Sequence, residues 1–217
     1  MADIFQEVDE EVRRERLKQI WDRYSIFIIA AAVLIVAGVA GWRGYEHWQS
    51  QKAAEAGAAF EQALTLAEEG KHQEAEAALN RIADSGTAGY RALARLRAAG
   101  EIAERDPKQA VDAYDKLAAD KGLNRKLQEL AAVRAGFLLV DTASFDEMTR
   151  RLEPLTGANA TFRHSARELL ALSAWRNGDA TASRRWSDLI MSDPESPANL
   201  RSRTERLLAL IAPAGKG

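Results

Sequence analysis

The side chains that most often carry chemistry are few and scattered in this sequence. It has no cysteine, and its three histidines, His47, His72 and His164, lie in separate parts of the chain. Zinc sites need several ligands at close spacing, as in HExxH, and none of these histidines has a second ligand at such a spacing. The pattern predicts no metal site, and the lack of cysteine excludes disulfides and thiolate nucleophiles.

Motifs for covalent catalysis and nucleotide binding are missing as well. Ser165 follows His164 but lacks the flanking glycines of a nucleophile elbow. No GxxxxGKS or GxxxxGKT phosphate loop occurs, and no GxGxxG segment follows a strand. The acidic pair Glu68 and Glu69 ends a predicted helix and is interpreted as solvated surface. We therefore predict that the protein is not an enzyme and has no catalytic residue and no cofactor.

Charge is nearly balanced along the chain, with 30 Lys and Arg against 32 Asp and Glu. Proteins that bind nucleic acids concentrate positive charge, so this balance argues against a nucleic-acid partner. Hydrophobic residues make up 47% of the chain and charged residues 29%, which is typical of a folded protein. Alanine is frequent and β-branched residues are concentrated in one segment, which favours helix nearly everywhere.

One segment near the N-terminus has the composition of a membrane span. From Tyr24 to Trp42 the sequence carries no charge, and Arg23 and Arg43 flank this run. At about 1.5 Å per residue, a helix over residues 24–45 is about 32 Å long and matches a hydrocarbon core of about 30 Å. Aromatic residues suited to the two membrane interfaces stand at its ends: Trp21, Tyr24, Trp42, Tyr45 and Trp48. The segment is predicted to be a transmembrane signal-anchor helix.

Two other interpretations of this segment remain open. The first is a cleaved signal peptide with Gly38-Val39-Ala40 as a small-residue cleavage site. Against it, the preceding leader is long and partly acidic, and the apolar run exceeds the usual length of about 7 to 15 residues. The second is the core helix of a soluble domain, which needs a polar stripe that the sequence does not show.

The bases flanking the span predict its orientation. Five precede it and two follow it: Arg13, Arg14, Arg16, Lys18 and Arg23, against Arg43 and Lys52. Because loops rich in Lys and Arg stay in the cytoplasm, we predict a cytosolic leader helix at residues 1–23 and an exported C-terminal part. Within the span, the small pairs Ala37 with Gly41 and Ala40 with Gly44 would let a second copy or another membrane protein pack closely, although such residues are common in spanning helices.

Beyond residue 46 the sequence is interrupted at regular intervals. The breaks are Glu69-Gly70-Lys71, Arg105-Asp106-Pro107, Asp141-Thr142-Ala143 and Asn177-Gly178-Asp179. After each break, one apolar spacing recurs at intervals of 35, 38 and 34 residues: Ala75, Leu79, Ile82; Ala110, Tyr114, Leu117; Met148, Leu152, Leu155; Ala182, Trp186, Leu189. Another amphipathic stretch precedes each break, which predicts four helix pairs.

Paired helices with a period near 34 residues are the signature of tetratricopeptide repeats. Ala75, Ala110 and Ala182 are assigned the small position at which the second helix packs on the first, whereas Met148 departs from it. The predicted fold is all-α: an N-terminal transmembrane helix, then a tetratricopeptide-repeat-like α-solenoid of about four helix pairs with a capping helix, at residues 46–212. Residues 213–217 are predicted to be a flexible tail. An irregular helical bundle is the alternative.

Four arginines fall on the predicted first helices of these pairs: Arg91, Arg95, Arg134 and Arg167. Arginine binds carboxylates through paired hydrogen bonds, so these side chains are candidates for contacts between a concave face and acidic groups of a partner. The alternative is solvated surface. We therefore expect protein partners and the lipid bilayer, with homo-association through the span as a further option.

The whole chain resembles the bacterial family of ancillary Sec-translocon subunits. The similar features are the opening IFQEVDEEVRRERLKQIWDRY, the anchor, and the segment AAFEQALTLAEEGKHQEAEAAL behind it. The resemblance implies a single-pass inner-membrane protein with a periplasmic domain that associates with the translocon, periplasmic chaperones or secreted clients. A structural scaffold or accessory subunit of another inner-membrane complex is the alternative function.

Overall fold

The computed structural model describes residues 3–211, and this part of the chain is made of helices and short connections without any β-strand. It contains nine α-helices: α1 Asp3–Glu68, α2 His72–Ser85, α3 Ala88–Ala103, α4 Pro107–Ala119, α5 Arg125–Leu139, α6 Phe145–Leu152, α7 Arg163–Arg176, α8 Ala180–Met191 and α9 Ala198–Ile211. A 3-10 turn at Glu153–Leu155 follows α6. The predicted flexible tail lies outside the described residues.

The chain divides into two compact units, Met1–Ala54 and Glu55–Gly217, with the boundary inside α1. In the first unit, the large apolar side chains from Ile26 to Val39 are 46–72% exposed. This exposure contradicts the alternative of a buried core helix. Among the described residues, α1 is the one helix that is long and apolar enough to span a membrane. The predicted leader and span are thus helical from Asp3 onward.

In the second unit each helix packs against the next, from α2 through to α9. The C-terminal part of α1 joins this series through Ala63, which lies in one apolar cluster with Leu79 of α2 and Ala94 of α3. Alternate helices also touch, as α3 with α5, α5 with α7 and α7 with α9. Two layers of helices result, which confirms the predicted repeat architecture of four pairs and a capping helix.

Local signals explain where the helices begin and end. Side chains of Asp106, Asn124, Ser144 and Asp179 accept hydrogen bonds from the first backbone amides of α4, α5, α6 and α8. Pro107 takes the first position of α4, where its missing amide hydrogen costs nothing. The breaks after α1 and α7 each contain a glycine with positive φ, Gly70 at 76° and Gly178 at 80°. All four predicted breaks coincide with connections between helices, although Pro107 of the second break already belongs to α4.

The predicted apolar positions are buried in the first two repeats and in most of the third. Ala75, Leu79, Ile82, Ala110, Tyr114, Leu117, Met148 and Leu152 are all under 9% exposed. The third pair brings its helices together at Gly136, where an added Cβ would lie 3.1 Å from Leu152 Cδ1 and 3.2 Å from Leu169 Cδ1. The glycine therefore makes room for larger side chains in the pair whose small position holds Met148.

In α8 the predicted burial of Trp186 is confirmed, but the predictions for Ala182 and Leu189 are each wrong by one residue. Its buried side chains are Ser183, Trp186, Ser187 and Ile190, whereas Leu189 is 38% exposed. Ser183, and not Ala182, is the small residue packed on the neighbouring helix, and its hydroxyl donates to the Ala171 carbonyl at 2.8 Å. Serine is nearly as small as alanine, and here its hydroxyl has a hydrogen-bond partner, so it can be buried. A search for apolar residues at helical spacing does not detect such a position.

Candidate functional site

The four arginines proposed for partner contacts have different environments. Arg91 and Arg134 are exposed, on α3 and α5, and make no ion pair with a carboxylate of the described residues. Arg95 donates through Nη1 to Asp120 Oδ2 at 2.6 Å and so connects α3 to the C-terminal end of α4. The structure therefore leaves two of the four guanidinium groups open to solvent on adjacent first helices.

Arg167 does not fit the expected role, because it is only 8% exposed. Its Nη1 donates to Asp193 Oδ2 at 2.9 Å and to the Leu189 carbonyl at 3.1 Å. Its Nε and Nη2 donate to the Thr156 carbonyl at 3.1 and 2.9 Å. This side chain joins α7 to the connection before it, to α8 and to the α8–α9 connection, and its donors are used inside the domain. Its role is structural.

Asp193 is the centre of this polar cluster between α7 and the α8–α9 connection. Besides the bond from Arg167, it accepts from Arg163 Nε at 2.9 Å, and Arg163 also pairs with Glu195. Hydrogen bonding by Arg163 holds the pKa of Asp193 well below its ordinary value of 3.8, burial opposes this effect, and Arg167 adds to it. The charged carboxylate therefore stabilises the folded domain.

The same cluster contains a serine, a histidine and an aspartate, but not in the geometry of a catalytic triad. Ser196 Oγ and Asp193 Oδ2 both approach the same nitrogen, His164 Nδ1, at 3.2 and 3.8 Å. In a triad, the serine and the aspartate bind opposite nitrogens of the imidazole. Ser196 also donates to the Ile190 carbonyl at 2.7 Å, which fixes its hydroxyl. We interpret this group as a structural connection.

Two buried glutamates, which the sequence analysis did not single out, also connect separate parts of the domain. Glu101 is 3% exposed and lies between His72 Nδ1 and Arg97 Nε, each at 2.8 Å. Glu129 is 5% exposed; it accepts from Arg125 Nε at 2.8 Å and from the Thr161 amide at 3.0 Å. Each pairs with an arginine four residues away, a spacing that is visible in the sequence. The sequence does not show that these two glutamates are buried.

One surface cavity of the repeat domain has a volume of about 680 Å³. It lies between the N-terminal end of α4 and the C-terminal end of α5, with Val111, Leu138 and Leu139 among its walls and Arg105 and Lys108 at its edge. No group of His, Asp and Glu side chains among the described residues is arranged to hold a metal ion. The walls of the cavity are mainly apolar, so it offers apolar contact.

A second surface combines charge with exposed apolar side chains on α3 and α5. Leu93 is 46% exposed and Phe137 is 49% exposed. Each shares a helical face with an arginine, Leu93 with Arg97 at i, i+4 and Phe137 with Arg134 at i−3. Exposed large apolar groups next to arginine are typical of protein-binding surfaces. We call this surface the α3–α5 face and define it by Leu93, Arg97, Leu130, Arg134 and Phe137.

The small residues of the predicted span occupy an open surface of α1. A Cβ added to Gly41 or Gly44 would meet nothing within 4 Å, and the neighbouring apolar side chains are exposed. Ala37 and Gly41 lie one helical turn apart, as do Ala40 and Gly44. Close packing of a second helix on these residues stays a prediction.

Comparison with known proteins identifies the repeat architecture. The chain matches the tetratricopeptide repeat-like domain over residues 18–181, about three quarters of its length. No curated protein and no solved structure matches it significantly. Domains of this kind stack helix pairs into extended surfaces, which suggests a protein–protein interaction module. On the repeat pattern, the two-layered helical packing and this match, the chain belongs to the tetratricopeptide repeat-like domain family.

Proposed function

We propose that the protein is a membrane-anchored interaction module without catalytic activity that works at the Sec translocon and brings periplasmic chaperones or secreted clients close to it. The observation that carries this proposal is the exposed apolar segment of α1 in the same chain as a tetratricopeptide repeat-like domain. The proposed location at the translocon rests on the resemblance of the leader, the anchor and the first repeat to ancillary translocon subunits.

A physical argument supports this mode of action. An anchor confines the domain to the membrane, and confinement raises the effective concentration of a bound partner there without new contacts. The polar clusters around Asp193, Glu101 and Glu129 satisfy their own charges, which suits a rigid binding scaffold better than a reactive centre. A purified domain that turned over a substrate would contradict this part of the proposal.

The proposed topology places the N-terminus in the cytoplasm and residues 46–212 in the periplasm, on the basis of the five-to-two excess of flanking bases. Alkaline phosphatase folds only after export, so a fusion after Ala212 should be active. A fluorescent protein that fails to mature in the periplasm should be dark at the same position and bright when fused before Asp3. The opposite pattern would reverse the orientation and remove the periplasmic role.

Photo-crosslinking in intact membranes tests the partner. A photoreactive residue at Ala37 or Gly41 should give adducts with translocon subunits, and one at Arg134 should give adducts with chaperones or clients. The matched control is the same residue at Arg184, which is exposed on α8 and lies away from the α3–α5 face. Stoichiometric adducts with another membrane complex, and none with translocon subunits, would favour the alternative of a scaffold or accessory subunit.

A further inference from the structure

The α3–α5 face consists of two parallel rows of side chains. On α3, Leu93 and Arg97 are four residues apart and share one side of the helix. On α5, Leu130, Arg134 and Phe137 follow the i, i+4, i+7 spacing that also defines one side. Because α3 and α5 both contact α4 and touch each other, the two rows are neighbours.

The hydroxyl of Tyr114, a residue of the domain core, lies close to the two rows. Tyr114 belongs to α4 and is 6% exposed overall. Its hydroxyl lies 3.4 Å from the point where a side chain on Gly100 would begin, so the lack of a side chain there leaves the hydroxyl uncovered by α3. Burial raises the pKa of Tyr114, and the charges of Arg134 and Arg97 oppose the rise, which agrees with both guanidinium groups being close to the phenol. At neutral pH the phenol is protonated and can donate a hydrogen bond.

Several arginines of the repeat domain have a carboxylate partner, and the two arginines of this face differ from each other in this respect. Arg95 pairs with Asp120, Arg151 pairs with Asp115, and Arg163 pairs with Asp193. Arg97 uses its Nε for Glu101, a carboxylate that it shares with His72. Arg134 makes no ion pair with any carboxylate of the described residues. The face therefore holds an excess of donors and positive charge next to exposed apolar groups.

We propose that the α3–α5 face binds an extended segment of a partner protein in which one aspartate or glutamate side chain is flanked by apolar side chains. The carboxylate lies between Arg97 and Arg134 and accepts from the Tyr114 hydroxyl, while the flanking side chains cover Leu93, Leu130 and Phe137. Charge-assisted hydrogen bonds give the site its preference for an acid, and the apolar contacts give it area. The inference rests on the proposed function as an interaction module and names the chemistry of its partner.

A titration with defined peptides tests the site on the full chain in lipid nanodiscs. The probe is a fluorescent heptapeptide, Ala-Leu-Leu-Asp-Leu-Leu-Ala, blocked at both ends so that no terminal carboxylate is present. The comparison peptide carries asparagine in place of the aspartate. Since a hydrogen bond to a charged group contributes more than a neutral one, the aspartate peptide should bind about tenfold more tightly, and added salt should reduce the difference.

Protein variants locate the binding on this face. Arg134→Gln should weaken binding of the aspartate peptide by about tenfold and leave binding of the asparagine peptide unchanged. Phe137→Ser should weaken both peptides equally because it removes apolar contact. The matched control is Arg91→Gln, which removes an exposed arginine of α3 outside the face and should change neither. Circular dichroism of each variant verifies that the helices are intact.

Three results would overturn the inference. They are the absence of saturable binding by the unaltered chain up to about 1 mM aspartate peptide, equal affinity for the two peptides, and an equal loss from Arg91→Gln and Arg134→Gln. The titration uses purified protein and is therefore independent of the crosslinking. If no peptide binds but translocon adducts form, the inference about this face is wrong and the proposed function still holds. If the peptide binds but no translocon adducts form, the inference about this face holds and the proposed role at the translocon is wrong.

Discussion

The apolar segment of α1 and the interior of the repeat domain are built from the same kinds of side chain but present them differently. Leu34 in α1 is 72% exposed, whereas Leu152 in α6 is fully buried. The same contrast holds for the aromatic residues, with Trp42 at 71% and Trp186 at 4% exposed. Apolar content alone therefore does not decide whether a helix of this protein is covered by the rest of the chain.

The spacing of the apolar residues makes the difference. In α2 the buried residues Ala75, Leu79 and Ile82 lie on one side, and the opposite side is polar, so this helix can pack on others and still face water. The segment from Ile26 to Val39 is apolar on every side, and no single packed neighbour can cover it. Such a helix is stable where its whole surroundings are apolar, because all its backbone groups are paired internally.

The largest expected effect comes from charging the centre of the span. Each arginine at the middle of a spanning helix opposes insertion by about 2.5–3.5 kcal/mol, while the apolar residues of the segment favour it by about 4 kcal/mol in total. The double variant Leu34→Arg with Val36→Arg should therefore move the protein out of the membrane fraction after carbonate extraction. The control Leu93→Arg places a charge at an exposed site of the repeat domain and should leave extraction unchanged.

The next effect concerns the core of the repeat domain. In a fragment of residues 51–217, Trp186→Ala should lower the free energy of unfolding by about 3–5 kcal/mol, because it leaves a cavity in the cluster that includes Leu169 and Leu170. Trp175→Ala, at a tryptophan that is 45% exposed on the neighbouring helix, should cost less than about 1 kcal/mol. Urea unfolding followed by circular dichroism measures both.

This fragment should itself unfold cooperatively, because Glu55–Gly217 is a compact unit with its own buried clusters. Equal losses from the two tryptophan variants would mean that the sequence spacing does not separate core from surface in this domain. A fragment without helical signal would contradict the independence of the two units.

A third effect depends on pH and concerns Asp193. Its pKa is lowered in the folded state, so its contribution to stability is complete above the unfolded value of 3.8 and is lost as the pH falls toward the folded value. Asp193→Asn should therefore lower the melting temperature at neutral pH, and the gap to the unaltered domain should narrow between about pH 5 and pH 3.

Thermal unfolding of the fragment over this pH range measures the effect. Asp84→Asn is the matched control, since Asp84 is exposed on α2 and makes no ion pair with the described residues. It should lower the melting temperature little at any pH. A gap for Asp193→Asn that stayed constant with pH would show that the ion pairs with Arg163 and Arg167 do not stabilise the fold.

The smallest expected effect concerns Ser183. Replacing it with alanine keeps the small size that the repeat position requires and removes only the hydrogen bond to the Ala171 carbonyl. The free energy of unfolding should fall by about 0.5–1.5 kcal/mol. Ala182→Leu, one residue earlier on a half-buried side, should be tolerated about as well if α8 has the register described above. A much larger loss from Ala182→Leu would restore the register predicted from the sequence.

Much of the fold could be predicted from the sequence because its repeats are strongly periodic. Helix ends are set by local signals that the sequence shows directly. Examples are the glycines of the breaks, Gly70 and Gly178, and the capping residues Asp106 and Asp179. The register of α8 could not be predicted, since two adjacent spacings, one from Ala182 and one from Ser183, both follow a helical period. The packing of α8 against α7 and α9 selects between them, because it buries Ser183 and Ile190 and leaves Leu189 exposed.

The sequence by itself determined the features that depend on one helix at a time: the uncharged run from Tyr24 to Trp42, the helix boundaries and the repeat period. Only the tertiary structure decided which charged side chains are used inside the domain. Arg167 is paired with Asp193, 26 residues later, and Arg95 with Asp120, 25 residues later. Arg134 has no carboxylate partner among the residues that the structure describes. The helical period of the sequence predicts on which side of its own helix a side chain lies. Which charged group that side chain meets depends on how the neighbouring helices are arranged in space.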